Sequence, residues 1–233
     1  MSIDEDAVFG RAGTSFALAP AFRGRFCAAL SLKHAARTFE KGEVLFDLGD
    51  TERILFLIRH GVVKTGTTTD LGREIIYDLR KDGDVVGELC TVDDIRRDRA
   101  VALERTEALP VRVDEVLEVL ARERNLLCEF IGRLCSGLAE AHDQINGMAE
   151  DSVMHGLAKV LTRLASKLGR PAGGLVEIAA YVTQEELAQM VVARRERVST
   201  ALNSLRRRGL VQYTTRGHLL LDVQALKALR NGD

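Results

Sequence analysis

Three arginines, Arg96, Arg97 and Arg99, crowd the stretch GELCTVDDIRRDRAVALE, which runs from Gly87 to Glu104. Fixed cations at this spacing are what a phosphate needs, since it takes charge and donors. The competing reading is a solvated loop in which Asp93, Asp94 and Asp98 neutralise the arginines. A second concentration of charge lies near the other end. Between Arg194 and His218, arginines stand at 194, 195, 197, 206, 207, 208 and 216 against one acid, Glu196. Such a local excess of fixed positive charge is the footprint of a polyphosphate partner. The net charge of the whole chain is -1, so any such partner must be held by this patch alone. Nothing reads as an enzyme: there is no P-loop, no nucleophile elbow and no His/Cys/Asp set at metal-ligand spacing. No metal is expected.

Three zones position these groups. In residues 1–113, short β-branched and apolar segments are split by Gly42, Gly49, Gly61, Gly72 and Gly83. Turns at that spacing imply an all-β sandwich or barrel, because glycines this frequent would break any long helix. A short helix is expected near 21–32. In residues 114–168 the period changes. Ile131, Leu138 and Ile145 form one sevenfold row, and Leu127, Leu134, Ala141 and Met148 form a second, three positions on. These are a and d positions of a heptad, and Ile at a with Leu at d favours a parallel two-stranded coiled coil. The chain is therefore expected to pair with a second copy of itself, the alternative being a helix that packs this stripe on its own domain.

Residues 169–233 form the third zone. Gly169 ends the preceding helix, and KLGRPAGG reads as a linker or turn. Thr183 and Glu186 fit a capping box opening a short helix. Val192 and Ala193 make a turn, a second helix runs from about Arg194 to Arg208, and Gly209 stops it. LVQYTTRGHLLLD is then two short strands about a turn at Thr215 to Gly217. Helix, turn, helix and hairpin make a winged helix-turn-helix. In that motif the start of the second helix reaches base edges in double-stranded DNA. Those residues are Arg194, Arg195, Glu196 and Arg197, with Ser199 and Thr200 one turn later. Arginine pairs bidentately with guanine, and glutamate accepts from cytosine. Arg206, Arg207, Arg208 and Arg216 fall where phosphate contact is expected. Val198, Leu202 and Leu205 share the core-facing side.

None of Cys27, Cys90, Cys128 and Cys135 sits in a CxxC pair, which implies a reducing compartment. The N-terminus has no signal-peptide pattern, and no apolar run is long enough for a membrane span. The expected location is cytoplasmic, away from membranes. Cys128, Cys135 and His142 lie seven residues apart beside the heptad seam and read as residues tolerated next to it. His34 and His60 read as surface residues.

Taken together, KGEVLFDLGD, GDVVGEL, the seam helix and RRERVSTAL resemble, in order and spacing, the cyclic-AMP receptor protein and FNR family of bacterial transcription regulators. The resemblance runs from about Ala21 to Asp222. It implies an α+β chain: an N-terminal β-roll of the cyclic-nucleotide-binding type, a long dimerisation helix and a C-terminal winged helix-turn-helix. It further implies a homodimer on a near-palindromic site, an effector switch, and RNA polymerase as a partner. Arg195 and Glu196 match the family's base-reading pair. Arg194 replaces a usual Ser or Thr, and Thr200 stands where the cyclic-AMP receptor protein has another base-contacting arginine. Val192 replaces the usual turn glycine.

In the effector pocket Gly87, Glu88 and Leu89 match, with Glu88 in the place that accepts from the ribose. The phosphate end does not match. Aligned back from the next strand, Arg96 and Arg97 take the places of the family's arginine and hydroxyl; counted forward, Asp98 and Arg99 do. Neither register supplies a hydroxyl, and His142 stands near the position that would meet the base. Three readings stay open: no cyclic mononucleotide is bound; a larger anion such as a cyclic dinucleotide binds through Arg96, Arg97 and Arg99; or cyclic AMP binds with altered contacts. A different class of function, a nucleotide-binding signalling module whose C-terminal domain contacts protein, also fits the glutamate. The N-terminal segment lacks the cysteine cluster of the family's iron-sulfur sensors.

Overall fold

The computed structural model describes residues 35–91, 95–148, 152–179 and 182–230. The helix expected near 21–32, Cys27, His34, Asp93 and Asp94 lie outside the described residues. The N-terminal domain is built from β1 (Arg37–Phe39), β2 (Val44–Phe46), β3 (Ile54–His60), β4 (Val63–Thr68), β5 (Glu74–Arg80), β6 (Val85–Val86), β7 (Arg99–Ala102) and β8 (Thr106–Arg112). They pair antiparallel into two four-stranded sheets, β1-β8-β3-β6 and β2-β7-β4-β5. The glycines that punctuate the sequence are the corners. Gly61 has φ +99°, and a Cβ there would lie 2.5 Å from the Thr106 hydroxyl. Only glycine accepts that backbone at no steric cost.

Apolar side chains alternate into the space between the sheets. Phe56 of β3 meets Phe39 edge-on at 5.9 Å and stacks on Phe46 of the opposite sheet at 6.1 Å. These rings close the roll with Ile58, Val63, Ala100 and Ala102.

Where the sequence showed one helical zone, three helices follow: α1 (Val113–Arg122), α2 (Arg124–Met148) and α3 (Val153–Leu168). One side of α1 and α2 covers the roll. Val116, Leu120, Leu126 and Phe130 are buried with Leu55, Leu57 and Val111. The heptad stripe runs beside this covering face of α2 and is open: Leu127, Ile131, Leu134, Leu138, Ala141 and Ile145 are all exposed. The side chain of Met148 is outside the described set. Helix α3 does not continue the stripe. Leu157, Leu161 and Leu164 turn into the core of the C-terminal domain instead.

That domain adds β9 (Arg170–Ala172), β10 (Leu175–Ile178), α4 (Gln184–Val191), α5 (Arg195–Arg207), β11 (Val211–Tyr213), β12 (Leu219–Leu221) and α6 (Val223–Arg230). The segment read from sequence as a linker is a hairpin. Gly173 and Gly174 both take positive φ at its turn, and β10 pairs with β12, giving a sheet β11-β12-β10-β9. Strands this short, one starting Arg-Pro, carry little periodic signal. The core of this domain also takes in Val62, Ile76, Leu79 and Leu103 from the roll.

Candidate functional site

Helix α4 starts at a complete capping box. Thr183 Oγ1 accepts from the Glu186 backbone N–H at 3.3 Å, and Glu186 Oε2 accepts from the Thr183 N–H at 2.9 Å. The helix ends at Val192, which has φ +56° and ψ +39°. A β-branched residue in the left-handed region stores strain. The turn is nevertheless closed, and the Ala193 N–H donates to the Ala188 carbonyl.

Helix α5 follows at once, with Arg194 as its N-cap. Val198, Ala201, Leu202 and Leu205 bury one side, which pins the rotation of the helix. That rotation leaves Arg194, Arg195, Glu196 and Arg197 exposed, as well as Thr200 one turn on, while Ser199 is half-buried. The Thr200 hydroxyl donates to the Glu196 carbonyl at 2.9 Å. At the other end of α5, Arg206 lies over the Tyr213 ring at 5.1 Å and donates to Asn203 Oδ1. Arg207 and Arg208 are exposed. Arg216 sits exposed in the β11–β12 wing turn, whose Thr214 N–H and His218 carbonyl close at 2.9 Å. The patch therefore offers two sets of cations: one at the start of a helix, one at its end and in the wing. The first suits base edges, the second phosphates.

The effector-like site is different. Gly87 has φ +92°, and a Cβ there would meet Arg96 Nη1 at 2.8 Å. Glu88 opens a short 3₁₀ helix, Glu88–Thr91; Leu89 is exposed. Arg96, 2% exposed, is folded inward. Its guanidinium lies 3.9 Å from the Phe46 ring centroid and donates to the carbonyls of Gly87 and Ile54. Arg97 is exposed. Arg99 pairs with Asp47 at 3.4 Å and Glu74 at 3.4 Å. The structure thus sends Arg96 and Arg99 to different partners and does not gather them around one anion. Asp98, directly ahead of β7, is 4% exposed. Burial, with Glu88 beside it, pushes its carboxyl up to about 6. Among the described residues Asp98 Oδ1 has no hydrogen-bond partner. His142 is exposed on α2, as are Cys128 and Cys135, and Cys90 is buried.

Sequence reasoning missed the charges buried behind Glu88. Arg80 pairs with Glu88 at 3.1 Å and with Asp78 at 3.1 Å; Lys167 of α3 pairs with Asp78 at 2.6 Å. Burial alone would raise Asp78, but Arg80, Lys167 and Arg163 together hold its carboxyl below the usual range. A signal existed: Ile76, Asp78 and Arg80 alternate along one strand and so share a face. Lys167 lies in the last turn of a helix, where a cation is commonly solvated and nothing local marks it as buried.

Two family models match the chain. Residues 36–123 match the cyclic nucleotide-binding domain, and residues 157–229 match the Crp-like helix-turn-helix domain. A CRP-like cAMP-activated global transcriptional regulator of Mycobacterium tuberculosis is 27% identical over 222 residues, covering 95% of this chain and 97% of that protein. The cyclic AMP receptor protein of Thermus thermophilus is 28% identical over 177 residues, 76% of this chain and 79% of its own. Among solved structures, FixK2 from Bradyrhizobium japonicum superposes with a TM-score of 0.73 at 18% identity, covering 84% of this chain and 96% of its own. The c-di-GMP responsive global regulator CLP of Xanthomonas campestris superposes at 0.71 and 19% identity, covering 87% and 99%. With its β-roll, its helical connection and a basic winged helix-turn-helix in this order, the chain belongs to the cyclic-AMP receptor protein and FNR family of DNA-binding transcription regulators.

Proposed function

We propose that the protein acts as a cytoplasmic homodimer that reads a near-palindromic DNA site, with Arg195 and Glu196 at base edges. Arg194, Arg197, Ser199 and Thr200 flank them, and Arg206, Arg207 and Arg216 hold phosphates. Pairing through the stripe Leu127, Ile131, Leu134, Leu138, Ala141, Ile145 and Met148 would place two α5 helices on one duplex, as half-site spacing requires. RNA polymerase is the proposed further partner.

The effector reading is that the β-roll does not take cyclic AMP in the family's usual way. One observation carries it: a buried carboxyl, Asp98, stands where a phosphate would need a cation, while Arg96 is already spent on Phe46 and two backbone carbonyls. An anion brought to Asp98 would meet repulsion and desolvation together. A nucleotide effector held through Gly87, Glu88, Leu89, Arg96, Arg97, Arg99 and His142 is the second reading. It is favoured by the two relatives described as cAMP-activated and c-di-GMP responsive. Calorimetric titration with cyclic AMP, cyclic GMP and cyclic di-GMP, with DNA affinity measured beside each, tests both. No heat, together with tight DNA binding, supports the first reading. Micromolar binding that shifts DNA affinity replaces it with the second.

A further inference from the structure

Lys167 is 1% exposed, and its ammonium faces the β-roll rather than its own domain. Nζ lies 2.6 Å from Asp78 Oδ2. The same oxygen lies 3.1 Å from Arg80 Nε, and Arg80 Nη2 lies 3.1 Å from Glu88 Oε1. Lys81, next to Arg80, donates from its ammonium to the Lys167 carbonyl, so both ends of this lysine are held by the roll. Behind it, α3 packs directly on α5, and Leu157, Leu161 and Leu164 share a core with Val198, Leu202 and Leu205. A line of alternating charge therefore runs from the Gly-Glu-Leu segment to the helix that seats the DNA-reading helix.

Apolar contacts tolerate sliding, whereas a buried ammonium cannot stay charged without its counter-ion. The Lys167–Asp78 pair thus fixes where α3 sits on β5. Two more carboxyls, Asp84 and Glu140, lie close enough to act on Arg80, so acids and cations around it are in competition. Glu88 takes part of Arg80's charge. Were Glu88 neutralised, or turned to another donor, Arg80 would bear more fully on Asp78 and compete with Lys167 for it.

We propose that Glu88, Arg80, Asp78 and Lys167 form a relay by which the charge at the Gly-Glu-Leu segment sets how firmly the DNA-binding domain is held against the β-roll. The relay requires no particular effector; a change of charge at Glu88 is enough. It needs only that the chain bind DNA, as its family does.

The test is a double-mutant cycle on the full-length protein. The probe is a DNA duplex selected from a randomised pool by the wild type, and affinity is read by fluorescence anisotropy at fixed salt. Glu88→Gln is expected to weaken binding about fivefold or more. In a Lys167→Met background the same change is expected to have no further effect. Multiplying effects would overturn the relay, as would unchanged affinity in Glu88→Gln. Should Lys167→Met fail to fold, hydrogen exchange decides: Glu88→Gln is expected to speed exchange over residues 161–168, and unaltered protection there rejects the proposal. If the wild type selects no duplex, DNA binding itself has failed, and the exchange measurement still judges the relay.

Discussion

Arg96 lies over the Phe46 ring, with its guanidinium carbon 3.9 Å from the ring centroid. A cation on an aromatic face, out of water and bonded to two backbone carbonyls, is part of the core. Arg96→Ala should therefore destabilise the protein by about 1 to 3 kcal/mol in urea unfolding, since it strips partners from buried carbonyls. Arg97→Ala, on an exposed side chain, should stay within about 0.5 kcal/mol of wild type. Equal effects would show that Arg96 is no more structural than its neighbour.

Asp98 gives stability an acid dependence of unusual sign. The folded carboxyl holds its proton up to about pH 6, whereas an ordinary aspartate releases it near 3.8. Protons thus favour the folded state. The contribution is whole below about pH 4 and is lost as pH rises through about 6. Asp98→Asn, neutral throughout, should raise stability at pH 7 by an amount on the order of 2 to 3 kcal/mol and flatten the slope between pH 4 and 7. Unfolding curves at several pH values would show this.

Val192 holds a left-handed backbone that a β-branched side chain resists. Val192→Gly should relieve that strain and raise stability by about 1 kcal/mol, net of the added freedom of the unfolded chain. A scanning calorimeter would register it as a higher Tm. A lower Tm would mean that the valine's packing outweighs its strain.

Arg195→Ala should weaken DNA binding by about 1 to 3 kcal/mol and relax preference at one base position in each half-site. Arg216→Ala should weaken all sequences alike and reduce the salt slope by about 1. Binding assays against a panel of single-base variants separate the two.

Ile131 is 49% exposed in the middle of an open apolar stripe. Ile131→Glu should lower the mass seen in sedimentation to that of a single chain. The β-roll should remain folded, because Ile131 is not one of its covering residues, Leu126 and Phe130, which lie on the neighbouring face of α2.

What the sequence revealed was periodic or compositional. The capping box, the two helices about Val192, the wing and the a and d rows were all visible because local spacing encodes them. The β9–β10 hairpin was not, since strands of three and four residues offer no repeat to detect. The division of the expected single helical zone into three was not read either: α3 is amphipathic too but turns toward different neighbours, and its N-cap Ser152 is the local sign of its start. The pocket was half legible. The change of residue types around Asp98 could be read, but whether Arg96 or Asp98 faces inward could not, because both do. The buried line from Glu88 to Lys167 joins residues far apart in the chain, and only folding brings them into register.

Val62, Ile76, Leu79 and Leu103 belong to the β-roll in sequence but to the C-terminal core in space. The two domains are therefore not interchangeable parts. Grafted onto a relative's roll, this DNA-binding domain would meet other side chains along β5, and Lys167 would keep a counter-ion only where that strand carries an acid in the place of Asp78. Swaps between family members should succeed only when the strand travels with the helix. The natural unit of exchange is the joint, not the domain.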